Sequence, residues 1–197
     1  MAEKEALILE IAKGNRDAFQ RFYAHFQAAV FNTCLSYLKN REEAEEAVQD
    51  IFMEVFYAAS SFRNDASAST WVYRIAVNKC LDRIRHRKRK KRFAFLADLF
   101  NSETGQLQFD QPDFEHPGVL LENKEKASIL FKAMDKLPEN QQTAFILKQV
   151  EGLPQKEIAA IMNIGEKAVE SLLQRAKQNL RKLLGNYYDN GEGKLNT

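Results

Sequence analysis

Apolar residues recur at three- and four-residue intervals along nearly the whole chain, and no run alternates with the period of two that a strand needs. That periodicity confines the fold to packed helices. Chain breakers are too few to interrupt it, with 8 Gly and 4 Pro in 197 residues, and a 45% hydrophobic content supplies packed cores for one or two small domains.

The first half predicts four helices. Glu5 to Ala12 form a short one ended by Gly14. A second carries Phe19, Phe22, Tyr23, Phe26 and Val30 as a core stripe, continues through Phe31 to Leu38 and breaks at Asn40 or Arg41. From Glu42 to Ser60, Ala44, Ala47, Val48, Ile51, Phe52, Val55 and Phe56 form a packing stripe; Glu42, Glu45, Glu46, Gln49 and Met53 form another, with Asp50 at its edge. Residues 59 to 70 are a loop of small polar residues, and Ser69 or Thr70 is the expected N-cap of a helix opened by Trp71. In that helix Tyr73, Ala76, Val77, Cys80, Leu81 and Ile84 face inward, while Trp71, Arg74, Asn78, Asp82 and Arg85 share another face.

Charge is sorted by segment. The net charge is only +2, yet Glu42 to Glu54 carry six carboxylates and no base, whereas eight of the ten residues from Arg83 to Arg92 are Lys or Arg. So dense a basic block repels itself without an anionic partner. The separation points to two partners, one basic and one nucleic acid, and a face offering an indole, an amide and guanidinium groups suits unstacked bases and phosphates together.

After Arg92 the composition shifts: residues 93 to 125 hold seven acidic groups against one Lys, with Gly105, Pro112, Pro117 and Gly118, and are expected to be a linker with short helical pieces at most near Phe93 to Phe100. A second domain follows. Ala127, Leu130, Phe131, Met134 and Leu137 mark a helix stopped by Pro138; Glu139 to Val150 form another, with Thr143, Ile146, Leu147 and Val150 inward. Pro154 suits the first turn of a short helix through Met162, Asn163 to Gly165 make a tight turn, and a long helix runs from Glu166 to about Leu184. Helix, short turn and longer helix form the helix-turn-helix pattern, which places Lys167, Glu170, Ser171, Gln174, Arg175 and Gln178 where base edges and phosphates are read.

Other chemistries find little support. Cys34 and Cys80 lie in apolar contexts away from any His-rich cluster, so neither a zinc site nor a disulfide framework is expected, and a reducing cytoplasm fits. His25, His86 and His116 are scattered, with no HExxH and no phosphate-binding Gly loop, so no enzyme activity, metal, cofactor or small-molecule substrate is expected. The charged N-terminus and the lack of a long apolar run argue against a signal peptide or membrane insertion.

Taken together these stretches resemble the extracytoplasmic-function (ECF) group of bacterial sigma factors. Gly14-Asn15-Arg16-Asp17-Ala18-Phe19 is similar to its opening motif, Ala44 to Phe52 to its core-binding helix, and Ser61-Phe62-Arg63 with Thr70 to Asn78 to its promoter-melting segment; Leu137-Pro138, Glu157-Ile158-Ala159 and Arg175-Ala176 stand where its second domain has them. The resemblance implies an all-α chain of two domains, with sigma region 2 in 1–92, a flexible acidic linker in 93–125, a region 4 helix-turn-helix in 126–188 and a tail in 189–197. It implies that Glu45, Glu46, Gln49 and Asp50 meet the basic coiled coil of the largest polymerase subunit. It further implies that the loop Phe62, Arg63, Asn64, Asp65 with Asn78 captures an extruded minus-ten base, that Trp71 and Arg74 support the melted junction, and that the basic run, including Arg83 and Arg85, holds phosphates. Residues 166 to 178, among them Lys167, Glu170, Ser171, Gln174 and Arg175, would read the minus-thirty-five element. The implied partners are core polymerase, through that coiled coil and its beta flap, promoter DNA and an anti-sigma factor.

This chain departs from the family in three places. Ala68 stands where an aromatic often precedes the Thr-Trp pair, Glu170 and Leu172 stand where basic residues are frequent, and Pro154 replaces a Ser or Thr cap. The competing function is a helix-turn-helix regulator that works without polymerase. It would need a dimer, for which the chain offers only Leu183-Leu184 and Tyr187-Tyr188.

Overall fold

The structure, a computed structural model, describes residues 2–100 and 124–189. Most of the predicted acidic linker lies outside the described residues. Among the described residues eight α-helices run in the order α1 (Ala2–Ala12), α2 (Arg16–Leu38), α3 (Arg41–Ala58), α4 (Ala68–Phe100), α5 (Lys124–Met134), α6 (Glu139–Gln149), α7 (Gln155–Met162) and α8 (Glu166–Asp189), with one 3-10 turn at Ala59–Ser61.

Helix α2 is the spine of the first domain. Ala18, Phe22, Phe26, Val30, Cys34 and Leu38 are buried and spaced by four, so they form one continuous ridge. Against it α3 sets Ala44, Ala47, Val48, Ile51, Phe52 and Val55, and α4 sets Val72, Ala76 and Cys80. The fully buried alanines Ala44, Ala47 and Ala76 let the backbones approach, and each large aliphatic or aromatic side chain buried there contributes about 1.5–3 kcal/mol.

The helix ends follow local chemistry. Asn15 accepts from the Ala18 N–H (3.1 Å) and Asn40 from the Glu43 N–H (2.8 Å), each capping the helix that follows. Gly14 turns at φ +84, a conformation that a side chain disfavours. Asn40→Ala is expected to cost about 1 kcal/mol of stability, read from the urea midpoint at unchanged slope.

Several helix ends differ from the sequence expectation, α1 opening at Ala2 rather than Glu5. Helix α4 opens at Ala68, three residues before Trp71, because Ser67 rather than Ser69 or Thr70 is the cap: its Oγ accepts from the Thr70 N–H at 3.1 Å. At its far end α4 continues unbroken through Phe100, into the stretch expected to be linker with short helical pieces, since nothing between Arg83 and Phe100 breaks a helix. Helix α8 likewise runs past Leu184 to Asp189.

In the second domain α6, α7 and α8 surround Ile146, Leu147, Ile158, Val169 and Ala176. The turn between α7 and α8 is made by Asn163 in the left-handed region (φ +54), whose N–H satisfies carbonyls of the last turn of α7. The two domains touch: α4 packs on α7, and α2 on α6.

Candidate nucleic-acid and polymerase interface

Helix α3 turns its apolar stripe inward, which leaves Glu42, Glu45, Glu46, Gln49 and Asp50 exposed in a row. Arg41 Nε holds Glu45 at 2.9 Å, one helical turn away. Arg83 reaches across from α4 to Asp50 (2.5 Å) and Glu46 (3.3 Å). Arg83, expected beside phosphates, is therefore turned toward the acidic helix. Beside this row, Tyr23, Gln27, Phe31, Arg41, Glu45 and Gln49 line an open groove of about 460 Å³.

At the other end of the domain, Phe62, Arg63, Asn64, Asp65, Trp71 and Arg74 line a small cavity of about 160 Å³. Trp71 is half-buried, its ring centroid 5.2 Å from that of Phe62, so the indole is both partial core and pocket wall. Asn64 takes a left-handed φ of +60, and Arg63 and Asp65 face each other at 3.4 Å on the exposed rim. Glu5, which the sequence did not single out, accepts from the Ala68 N–H at 2.8 Å and so ties α1 to the start of α4 beside this loop. A carboxylate there is favoured by the positive end of the helix dipole. No local sequence signal links residues 63 positions apart.

Two arginines of the α4 face also reach the second domain. Arg74 donates from Nε to the Ala160 carbonyl at the end of α7 (3.0 Å), and Arg85 pairs with Glu139 in the first turn of α6. Together with Asn78 they line a cavity of about 210 Å³ closed by Asn140, Thr143 and Met162. Around it run contacts that the sequence did not announce. The Tyr37 hydroxyl donates to Thr143 Oγ1 (2.9 Å), Lys39 Nζ donates to the Phe131 carbonyl (2.7 Å) and pairs with Asp135, and the Tyr73 hydroxyl donates to Glu151 Oε2 (2.8 Å). Burial pushes the Tyr73 hydroxyl and the Glu151 carboxyl up and the Lys39 ammonium down.

On α8, Lys167, Glu170, Gln174, Arg175 and Gln178 are exposed and Ser171 is half-buried, so the recognition positions form one outward face. Leu172 is not on it. Its side chain packs on the core, so of the two departures on this helix only Glu170 alters the outer face. Among the described residues no cluster of His, Cys, Asp or Glu could hold a metal, and no helix is long and apolar enough to cross a membrane.

Residues 22–90 match the Sigma-70 region 2 family and residues 128–180 the Sigma-70, region 4 family. The ECF RNA polymerase sigma factor SigW of Bacillus subtilis (strain 168) is 32% identical over 181 residues, which cover 90% of this chain and 94% of that protein. This chain belongs to the ECF RNA polymerase sigma factors. The ECF sigma-E factor of Escherichia coli (strain K12) is 28% identical over 88% of this chain and 90% of its own. Two solved structures share the fold at 22% identity: CnrH in complex with the cytosolic domain of CnrY (TM-score 0.66, covering 93% of this chain and 97% of that one), and RpoE from Bartonella quintana in complex with the anti-sigma factor NepR (TM-score 0.59, covering 85% and 96%). In this sigma factor the region 2 match spans α3, the Trp71 pocket and most of the basic run, and the region 4 match spans the helix-turn-helix. Helix α1 and its Glu5 tie lie outside both matches.

Proposed function

We propose that this ECF sigma factor docks on core polymerase through the outer face of α3, captures a minus-ten base of the non-template strand at the Trp71 pocket, and reads the minus-thirty-five element with α8. The observation that carries the assignment is the division of one small domain: an exposed acidic row on α3 at one place, and an aromatic-walled cavity on the neighbouring helix at another. The acidic row suits the basic coiled coil of the largest polymerase subunit, and region 4 would meet the beta flap. In the pocket, a flipped base trades the cost of unstacking for contact with Trp71 and polar groups from Arg63, Asn64 and Asp65.

This work needs no covalent chemistry, so no catalytic residue, metal or cofactor is assigned, and the chain acts in the cytoplasm where polymerase and promoter DNA are. An anti-sigma factor is a further partner; the similarly folded RpoE was solved bound to one.

Purified chain added to bacterial core polymerase over a promoter library is expected to give promoter-specific run-off transcripts. Trp71→Ala should reduce them about tenfold, within the about 1–3 kcal/mol that stacking one base on an aromatic side chain is worth. Failure to bind polymerase and to yield transcript, with sequence-specific DNA binding by the chain alone, would overturn the assignment.

A further inference from the structure

We propose that Glu5 is a positioning residue for the minus-ten pocket: its carboxylate, carried in by α1, fixes the start of α4 so that Trp71 meets the base in one orientation. The proposal rests on reading that pocket as the seat of an extruded base, and it gives a function to a helix that neither family match covers.

The pocket loop, residues 62–67, has both of its stems against α1. On one side α1 packs on the 3-10 turn, where the Phe62 N–H donates to the Ala59 carbonyl (3.2 Å) and so sets the ring that faces Trp71. On the other, the Ala68 N–H donates to Glu5 Oε1 at 2.8 Å. Trp71 follows about one turn later, and its own N–H donates to the Ser67 carbonyl at 3.0 Å, so the indole moves with the backbone that Glu5 holds. Between the stems Asn64 takes a left-handed φ of +60, uncommon for any residue but Gly, and the shape of the loop depends on where its ends are held.

A helix cap alone does not require this carboxylate. Ser67 already caps α4, accepting from the Thr70 N–H through Oγ. Glu5 is the more demanding group: its second oxygen, Oε2, is buried and has no hydrogen-bond partner among the described residues, which costs stability. The helix that carries it is firmly seated, with Leu7, Ile8 and Ile11 buried and Glu3 paired to Arg21 at 2.8 Å. A charged acceptor on a packed helix holds an N–H more strongly than a neutral one on the loop itself. What the arrangement secures is geometry at the pocket wall, the task of a shell that supports a binding site.

Trp71 is the single tryptophan of the chain, so its fluorescence reports the pocket wall directly. In the full chain, Glu5→Ala is expected to shift Trp71 emission to longer wavelength and to raise its quenching by acrylamide, at unchanged helical circular dichroism and unchanged binding to core polymerase. Promoter-specific run-off should fall about tenfold, the loss expected when about a tenth of the molecules hold the competent pocket. Glu5→Gln keeps the side-chain volume and a carbonyl oxygen for the Ala68 N–H, and should recover most of the emission and of the transcript. Glu5→Asp, which withdraws the carboxylate by one methylene, should shift both readouts in the same direction as Glu5→Ala and takes its place if that variant fails to fold. Unchanged transcript, a transcript that falls only in step with core binding, or a glutamine variant as defective as the alanine one overturns the proposal. Trp71→Ala is measured in parallel. If it transcribes as well as the unaltered chain, the base-capture reading falls and takes the proposal with it, whereas unchanged Trp71 emission in Glu5→Ala overturns the proposal alone.

Discussion

Gln49→Ala/Asp50→Ala is expected to lower promoter-specific transcription about thirtyfold or more, because truncating one member of a charge pair buried in an interface costs about 2 kcal/mol at least. Both side chains are exposed on the outer face of α3, so the fold loses little by their removal. Asp50 and Glu46 share Arg83, however, and that pairing must be separated from polymerase contact. Arg83→Ala does this: it breaks the internal pair and leaves the acidic row intact. Competition for core polymerase should show the double variant displaced and Arg83→Ala retained. Equal loss in both would mean that the acidic row acts by fixing α3 against α4.

Phe22→Ala is expected to destabilise the first domain by about 3–5 kcal/mol, the cost of an aromatic cavity in a packed core. Phe22 is fully buried on the central ridge of α2, with the Phe26 ring 4.7 Å away. Whole domains are stable by only about 5–15 kcal/mol, so the variant should be partly unfolded near physiological temperature. Tyr57→Ala makes the contrast: at 70% exposure it should move the urea midpoint by less than about 0.5 kcal/mol. A small change for Phe22→Ala would show that α2 is not the spine of the core.

The ridge itself is legible in the residues, since Phe22, Phe26, Val30 and Leu38 repeat at a spacing that only a helix places on one side. The acidic face of α3 and the recognition face of α8 follow from the same arithmetic, because each is what remains when the apolar stripe is turned inward. Helix starts were less legible. Ser67, Ser69 and Thr70 are all competent caps, and which one acts depends on the Glu5 carboxylate delivered from α1 to the Ala68 N–H. The face with Trp71, Arg74, Asn78 and Arg85 was visible, but its covering was not: contacts such as Tyr73 with Glu151 join side chains 78 positions apart and leave no periodic trace. Lys39 is the plainest case, a cation just past a helix end that the structure buries.

The unbroken length of α4 makes it a ruler. Its 33 residues span about 50 Å, and at about 1.5 Å per residue Trp71 and Arg92 stand about 32 Å apart along one rigid axis. That is close to one turn of duplex DNA, about 34 Å. On the proposed assignment, the distance from the Trp71 pocket to phosphates held by the basic run would therefore be fixed by helical rise and independent of the linker beyond Phe100. One residue inserted between Asn78 and Arg87 would lengthen the rod only slightly, yet it would swing every downstream cation by about 100° around the axis, so phase rather than reach is what this helix measures out.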